Sequence, residues 1–324
     1  MAEEENQAQY FSRDFSWEEL RDKVERNPSL RYHLSPSPSS PHPGDAIADA
    51  WRSFHSRHSS GKFFKERRYL LKEFPELIDC DSPICVLEVG CGNGSTALPI
   101  LRAKPNVFVF ACDCSREALE RAEEMVSSSN LASVKHQFRT FVHDFSVNRF
   151  PDWLLCSSCQ NSVRIQSHNK AEIEENGLIW LSDLSFFGAE CCIGGIDFVT
   201  MIFTLSAVPL QKMPYVIAEC ISVLKPGGLL LFRDYGLYDM TMLRFPPDQK
   251  VGFREYMRSD GTLSYFFSLD SVRSLFLGAG FVELELEYCC VISVNHRMNK
   301  KMHRVWVHGK FQKPVHRSLG LSTR

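Results

Sequence analysis

The chain has 324 residues, 44% of them hydrophobic and 23% charged, which suffices for one large α/β domain with insertions or for two smaller domains. Its formal net charge is −2, so a global basic field is excluded and any nucleic-acid partner must be bound by local patches. No apolar stretch approaches the length that crosses a membrane, and no internal repeat is found.

The twelve cysteines could indicate a disulfide framework. Several of them, however, lie inside apolar runs that predict strands, namely Cys85, Cys112, Cys289 and Cys290. The first residues, Met-Ala-Glu-Glu-Glu-Asn, are too acidic for a mitochondrial presequence. The pattern therefore predicts reduced, buried thiols in an intracellular protein, with the cytoplasm as the expected compartment and the nucleus as an additional one.

Residues 1–34 are interpreted as an N-terminal segment with one short helix. The helix is predicted from Ser16 to Arg26, with Ser16 as N-cap and Glu19 completing a capping box. Trp17 and other aromatic residues nearby are expected to pack on a partner or on the core. Residues 35–44 are rich in serine and proline, which predicts a solvated linker.

Residues 45–80 are predicted to form a helical extension. Asp45 is the expected N-cap of its first helix, which runs through Trp51, Phe54 and His58. A second helical pattern covers 62–75 and has an apolar face and a basic face, the latter carrying Lys65, Arg68 and Lys72. The basic face is either an ordinary solvated surface or a phosphate-binding ridge beside a ligand site.

The central motif is the run from Ile84 to Ser95, ICVLEVGCGNGS. Its first half is almost wholly apolar, which predicts a strand buried on both faces of a parallel sheet. Glu88 and three glycines at alternate positions follow, where a ligand can approach the backbone closely. The glycine spacing misses the dinucleotide pattern G-x-G-x-x-G, and a carboxylate suits an ammonium group, so the run predicts S-adenosylmethionine binding. A glycine-rich turn without a ligand is the alternative.

Two further predicted strands also end in acidic residues. The strand from Asn106 to Cys112 precedes Asp113, which is placed to bind ribose hydroxyls. The strand from Val134 to Val142 precedes Asp144 and Phe145, an acid and a ring that can bracket an adenine. Acids at three successive strand ends therefore strengthen the prediction of a donor site.

The methyl-donor domain is expected to cover 81–313, with an insertion at 150–190 that has no clear periodicity. Cys156, Cys159, Cys191 and Cys192 could be proposed as a zinc site. The adjacent pair of cysteines is poor ligand spacing, so unligated thiols are favoured and no metal is expected.

The second half of the domain repeats the pattern of strand and helix before a short tail at 314–324. Strands are predicted at Ile196 to Phe203, Leu229 to Phe232, Phe281 to Val291 and His303 to Phe311. Helices are predicted at Met213 to Leu224, which Lys225-Pro-Gly-Gly228 ends, and at Ser271 to Gly280. The last two strands are expected to form an antiparallel hairpin.

Several stretches together resemble one family, the methyltransferase-like enzymes that form 3-methylcytidine in the anticodon loop of tRNA. They are W-x-x-F-x-x-x-H at 51–58, F-F-K-E-R at 63–67, the E-x-G-C-G loop, F-R-D-Y-G-L-Y-D at 232–239 and its continuations at 203–208, 242–245, 259–262 and 265–267. The glycine loop is generic to methyltransferases, whereas F-R-D-Y-G-L-Y-D with the D-G-T after it is specific. Ser259 departs from the family pattern at a position expected to contact tRNA.

The resemblance implies a class I methyltransferase with a Rossmann-like, seven-stranded, mostly parallel sheet, an antiparallel C-terminal hairpin and an N-terminal helical extension. The implied reaction is methylation of cytidine N3, at nucleotide thirty-two, in serine, threonine or arginine tRNAs. The implied partner is an aminoacyl-tRNA synthetase such as seryl-tRNA synthetase. A methyltransferase acting on a small molecule or a protein remains the alternative, and a non-catalytic binding subunit is a third possibility.

Methylation of cytosine N3 needs alignment and stabilisation of a developing cation rather than a general base, since N3 is neutral and has a lone pair. The nucleotide must be splayed out, because N3 lies on the pairing edge. Asp234 is the candidate acceptor for the exocyclic amine, with Arg233 and Tyr235 beside it as further catalytic candidates. The alternative is a structural ion pair between Asp234 and Arg233.

The remaining site residues follow from the motifs and the resemblance. The expected donor-binding residues are Glu88, Gly90, Gly92, Gly94, Asp113, Asp144, Phe145 and Ile202. The expected tRNA-binding residues are Trp51, Phe54, His58, Lys62, Phe64, Lys65, Arg67, Arg68, Arg244, Arg297, Lys300, Lys301 and Arg304.

Overall fold

The structure, a computed structural model, describes residues 13–36, 44–58, 66–79, 82–129, 136–154, 195–295 and 300–315, with the backbone alone at 44–46, 295 and 300. In chain order the strands of these ranges are β1 (Ile84–Val89), β2 (Val107–Asp113), β3 (Phe138–Val142), β4 (Ile196–Ile202), β5 (Leu224–Tyr235), β6 (Lys250–Gly252), β7 (Glu255–Met257), β8 (Leu263–Tyr265), β9 (Val282–Asn295) and β10 (Lys300–Gln312).

Seven of these strands form one sheet in the order β3-β2-β1-β4-β5-β10-β9. The first five strands are parallel, and β10 and β9 run antiparallel to their neighbours. This confirms the predicted mostly parallel sheet with its antiparallel C-terminal hairpin. The strand order reverses between β1 and β4, which is where open α/β sheets bind their ligands.

The helices are α1 (Trp17–Arg26), α2 (Gly44–Arg57), the single turn α3 (Leu70–Glu73), α4 (Ala97–Ala103), α5 (Arg116–Ser128), α6 (Met213–Val223) and α7 (Leu269–Gly278). None of the helices in the described ranges has the length and apolar character that crossing a membrane requires.

Both faces of β1 are buried, as its apolar run predicted. Val86 packs with residues of α3, α4 and α5, whereas Leu87 and Val89 pack with residues of α6 and α7. All three strand residues are fully buried. The helices therefore cover the sheet on both sides, which leaves its strand ends as the accessible place for a ligand.

The helix predicted over 62–75 is wrong over most of its described part, since the structure has only the single turn α3. Residues 66–69 are not helical, and the backbone N–H of Arg67 donates to the carbonyl of Ser95 at 2.9 Å. Leu70 and Phe74 are buried. The apolar periodicity therefore reflects the burial of these side chains in the core, where they pack with Val86 and Cys91, and does not indicate a long helix.

Two other boundaries differ from the prediction. Helix α2 begins at Gly44, so Asp45 lies inside its first turn rather than capping it. The Lys225-Pro-Gly-Gly228 segment does not end α6 as a separate turn but belongs to β5. The β4–β5 register shifts there, with Ile196 opposite Leu224 and Phe198 opposite Leu229.

The N-terminal helix packs on the end of β5. Ser16 is its N-cap, as predicted, and accepts from the N–H of Glu19 at 3.2 Å. The predicted capping box is not formed among the described residues, where the serine hydroxyl donates to Glu18 and the Glu19 side chain makes no return bond to Ser16. The Trp17 ring stacks on Tyr288 at 4.7 Å, and its indole N–H donates to the carbonyl of Leu237 at 3.1 Å. Trp17 therefore packs on the core, which is one of the two expected positions for it.

A second, three-stranded sheet, β6-β7-β8, follows β5 and was not predicted. Its strands have three residues each, too few for an alternating pattern to be recognised. The sheet is tied to the main domain just after β8, where the N–H of Phe267 donates to the carbonyl of Tyr235 at 2.9 Å. It therefore lies beside the end of β5.

Candidate active site

A cavity of about 620 Å³ opens at the C-terminal ends of the parallel strands, where the strand order reverses. Its walls come from two groups of residues. We call the first group the glycine-loop half, and its main residues are Gly90, Gly92, Asn93, Asp113, Asp144 and Phe145. We call the second group the aromatic half, and its main residues are Phe203, Tyr235, Arg258, Asp260, Arg304 and Trp306.

The glycine loop has a backbone that only glycine adopts readily. Gly90, Gly92 and Gly94 have φ values of +68°, +53° and +76°. A Cβ at Gly90 would lie 2.4 Å from Cγ2 of Thr204, so a side chain there would collide with the end of β4. A Cβ at Gly92 would have His55 of α2 as its neighbour, 3.6 Å away, so a longer side chain would enter the space between the loop and α2.

Two acids at strand ends line this half, as predicted. Asp113 accepts from the N–H of Gly92 at 3.0 Å through Oδ2 and from that of Ser115 at 2.9 Å through Oδ1. Asp144 accepts from the N–H and hydroxyl of Ser146 through Oδ1. A carboxylate has about four acceptor positions, so Asp113 keeps capacity for ribose hydroxyls in the cavity.

Glu88 occupies a different place from the one its motif indicated. It does not line the cavity but lies buried beneath the loop, where the hydroxyl of Thr96 and the N–H of Ala97 donate to it. Burial raises the pKa of Glu88 to about 7, although the charge of Arg67 and these hydrogen bonds act in the opposite direction. Within the described residues its Oε2 atom has no hydrogen-bond partner.

The residues of this half fit S-adenosylmethionine. The glycine backbone leaves open the space that a side chain would fill, the acids at β2 and β3 offer acceptors for hydroxyl and amino groups, and Phe145 offers a ring face. Ile202, at the end of β4, adds an apolar contact to the cavity.

Helix α2 forms the roof of the cavity. Trp51, Phe54, His55 and His58 all line it, and Phe54 is 8% exposed. The helix is fixed to α5, since Nη1 of Arg121 donates to the carbonyl of His55 at 2.9 Å. Trp51, Phe54 and His58 were expected at the tRNA surface, and the structure instead brings them over the ligand space. Sequence reasoning missed His55, although it shares the helical spacing of the other three.

The aromatic half centres on Phe203, which sequence reasoning also missed as a site residue. Its φ of +56° is a strained value for a bulky residue, and such strain is concentrated at functional sites. Its ring lies 5.1 Å from Tyr235 and 6.1 Å from Trp306, and the guanidinium of Arg67 lies 5.5 Å away. These rings give the cavity a wall on which a flat, polar ring can stack.

Cations border this wall. Arg304 pairs with buried Asp239 at 2.9 Å and lies 5.3 Å from the Trp306 ring. Arg67, expected at the tRNA surface, lines the cavity and donates to Oγ1 of Thr96 at 3.2 Å. The carboxylate of Asp239 offsets the charge of Arg304 at this side of the cavity.

Of the three expected catalytic residues, the structure brings only Tyr235 to the cavity. Asp234 is fully buried behind the wall and accepts from the N–H groups of Ser206 and Tyr235 at 2.9 and 2.8 Å. Burial raises its pKa to about 6, against the lowering effect of its hydrogen bonds. Asp234 thus holds the turn that carries Ser206.

Arg233 is also fully buried and is not part of the cavity wall. Its guanidinium pairs with Glu73 and lies 5.0 Å from the Tyr69 ring and 4.4 Å from the Trp306 ring. Successive strand residues point to opposite faces of a sheet, so Arg233 and Asp234 diverge. The alternative of an ion pair between them is therefore wrong.

The other expected tRNA-binding residues are scattered. Arg68 is exposed and pairs with Glu66 at 3.3 Å, and Arg244 and Lys301 are exposed without lining the cavity. Lys62, Phe64, Lys65, Arg297 and the side chain of Lys300 lie outside the described residues. So do Cys156, Cys159, Cys191 and Cys192, and no group of potential metal ligands occurs in the part of the chain that the structure covers.

Comparison with known proteins identifies relatives of this chain. A family model described as a methyltransferase domain matches residues 62–286. The chain is 34% identical to tRNA N(3)-methylcytidine methyltransferase Mettl2 of Drosophila melanogaster over 82% of this chain and 71% of the relative. It is 34% identical to tRNA N(3)-cytidine methyltransferase METTL6 of Homo sapiens over 82% of this chain and 79% of the relative.

Solved structures agree on the fold. A SAM-dependent methyltransferase of Anabaena variabilis superposes with a TM-score of 0.53 over 86% of this chain and 99% of that one, at 13% identity. Such low identity supports the architecture and not the substrate.

Proposed function

The chain belongs to the tRNA N(3)-cytidine methyltransferase family, and we propose that it forms 3-methylcytidine at nucleotide thirty-two of the anticodon loop in a subset of tRNAs. The observation that carries the proposal is the cavity, in which a glycine-loop half for the methyl donor adjoins an aromatic half for a base. The cofactor is S-adenosylmethionine, which supplies a methyl group on a positively charged sulfur.

The glycine-loop half binds and orients the donor. Asp113 and Asp144 would accept from its hydroxyl and amino groups, Phe145 and Ile202 would contact its flat ring, and the backbone of Gly90 to Gly94 would allow its close approach. The rings of the roof helix α2 line the cavity above the loop, where they would limit the access of water to the donor.

The aromatic half receives a cytosine that has left its stack. Phe203, Tyr235 and Trp306 offer ring faces, and base stacking of this kind contributes about 1–3 kcal/mol per base. Stacking offsets the cost of splaying the nucleotide, which is a few kcal/mol in a duplex and smaller in a loop. Because N3 is neutral and has a lone pair, the site needs alignment and no general base.

The substrate surface beyond the cavity follows from exposed cations and from the family. Arg68 and Lys301 are exposed, and we propose that they bind tRNA phosphates together with the basic residues of the 62–65 and 297–300 segments of the sequence. Serine, threonine or arginine tRNAs are the proposed substrates, with seryl-tRNA synthetase as a protein partner and the cytoplasm as the compartment.

The proposal is tested by incubating the protein with methyl-labelled S-adenosylmethionine and total tRNA, followed by nucleoside analysis. We expect the label to appear in 3-methylcytidine. We expect no label in a tRNA whose anticodon loop carries another base at nucleotide thirty-two. Label in another nucleoside, or in none, would contradict it.

A further inference from the structure

Three of the described residues that line the cavity carry carboxylates, and they belong to different halves. Asp113 and Asp144 follow β2 and β3 in the glycine-loop half. Asp260 lies in the turn between β7 and β8 and belongs to the aromatic half. Asp260 is therefore the acid that can meet the base, a place that Asp234 does not reach.

The turn that carries Asp260 is held between the roof helix and the ends of the central strands. A Cβ at Gly261 would lie 3.4 Å from Cβ of Ala50, so the turn approaches α2 closely. Strand β8 contacts the turn at residues 205–207. Just after β8, the N–H of Phe267 donates a hydrogen bond to the carbonyl of Tyr235. The position of Asp260 is thus fixed by packing on both sides.

Within the turn, one oxygen of the carboxylate has a structural role. Oδ1 of Asp260 accepts from the N–H of Thr262 at 3.0 Å and from its hydroxyl at 2.7 Å. The bonds that the described residues make to Asp260 use this oxygen, which leaves Oδ2 as the acceptor for a ligand. Burial alone would raise the pKa of Asp260, but the bonds from Thr262 and the charges of Arg258 and Arg57 hold it below its usual value.

We propose that Asp260 is a catalytic residue that accepts a hydrogen bond from the exocyclic amine of the target cytosine and balances the charge that the base acquires. The inference rests on the proposed function. As the bond from N3 to the methyl carbon forms, the carbon–sulfur bond breaks and its electron pair stays on sulfur. No proton leaves, so the positive charge spreads over N3 and the exocyclic nitrogen.

An ionised acceptor beside this nitrogen stabilises the product-like state more than the neutral base, which is the requirement for lowering the barrier. The same acceptor selects the base. Uracil presents a carbonyl oxygen where cytosine presents its amine, and two acceptors facing each other would repel. Asp260 therefore contributes to both rate and base specificity.

The test compares Asp260→Asn with wild type and with Asp270→Asn, a matched change at a side chain that is 93% exposed on α7. Asparagine keeps an acceptor for Thr262 and removes the charge. Single-turnover methylation with saturating donor and tRNA should fall by about 10²-fold or more. Donor affinity, measured by calorimetry, and melting temperature should stay near wild type, and Asp270→Asn should match wild type throughout.

A binding measurement separates catalysis from a structural role. Anticodon stem–loops with cytidine or uridine at the target nucleotide should differ in Kd for the wild type, and the ratio should approach one in Asp260→Asn. Two results would overturn the role of Asp260 and leave the proposed function standing. One is a single-turnover methylation rate in Asp260→Asn equal to that of the wild type. The other is a loss of donor affinity and melting temperature with the ratio of the two Kd values unchanged. If the wild type makes no 3-methylcytidine, the proposed function fails and the inference with it.

Discussion

The two halves of the cavity are built in different ways. The glycine-loop half takes its shape from the backbone of one continuous run, since Gly90, Gly92 and Gly94 all adopt positive φ values. The aromatic half is assembled from the ends of β4 and β5, the β7–β8 turn and strand β10, so its residues are far apart in the chain. A backbone-built site depends on local sequence, whereas a side-chain-built site depends on the whole fold.

The largest effect is expected from a substitution in the glycine-loop half, which should abolish donor binding. In Gly92→Arg the side chain would enter the space under α2 from a backbone position with a φ of +53°. We expect calorimetry to detect no donor binding, and methylation to disappear with it. Gly278→Arg is the control, because a Cβ there meets nothing within 4 Å, and it should bind the donor like wild type. Retained donor affinity in Gly92→Arg would remove the loop from the donor site.

The next largest effect is expected from a substitution in the aromatic half, which should weaken the use of tRNA and leave donor binding unchanged. Phe203→Leu keeps bulk at the end of β4 but removes the ring that lies beside Tyr235 and Trp306. Loss of stacking worth about 1–3 kcal/mol should lower kcat/KM for tRNA roughly 5- to 150-fold. Phe203→Tyr keeps a ring and serves as the control. Equal losses of donor and tRNA affinity in Phe203→Leu would contradict the separation of the halves.

A smaller effect concerns the buried acid under the glycine loop. The folded pKa of Glu88, about 7, is above its ordinary value of 4.5, so the folded state binds more protons between these values. The free energy of unfolding should therefore fall as pH rises from about 4.5 to 7, by about 1–3 kcal/mol. In Glu88→Gln this contribution should vanish. Denaturant unfolding across this pH range measures it, and an unchanged slope in the variant would contradict the assignment.

The smallest effect is on the outer surface. Arg68→Glu should weaken tRNA binding and flatten the log–log salt dependence of Kd by about 0.7–0.9 for each phosphate that the variant no longer binds. Arg26→Glu, at a side chain that is 82% exposed on α1, is the control. If both variants bound tRNA alike at every salt concentration, the surface around Arg68 would not be the tRNA site.

The sequence predicted the glycine-loop half well because its signals are local. The acids at Asp113 and Asp144 follow apolar runs that become β2 and β3, and parallel strands bring their ends to one edge. Glu88 was the exception, since the alternation of a strand does not reveal whether its last acid faces the cavity or the helix beneath.

The aromatic half was predicted less well because its partners are set by tertiary packing. Arg233 and Asp234 lie in a specific motif, yet the structure gives them different partners. Arg233 pairs with Glu73 of α3, whereas Asp234 accepts from the N–H of Ser206 and holds that turn. Phe203 and Asp260 also lie in recognised motifs, but their place in the cavity depends on strain at one residue and on a small sheet of three-residue strands. Neither feature leaves a periodic signal in the sequence.

The most direct test of the central claim replaces the acceptor atom itself. An anticodon stem–loop with 3-deazacytidine at nucleotide thirty-two has carbon in place of N3 and lacks the lone pair that receives the methyl group. The protein should bind this stem–loop with an affinity within about twofold of the cytidine form, since stacking and phosphate contacts are kept, and should transfer no methyl group to it. Methyl transfer to the deaza substrate at the rate seen with cytidine would contradict the assignment of N3 as the acceptor.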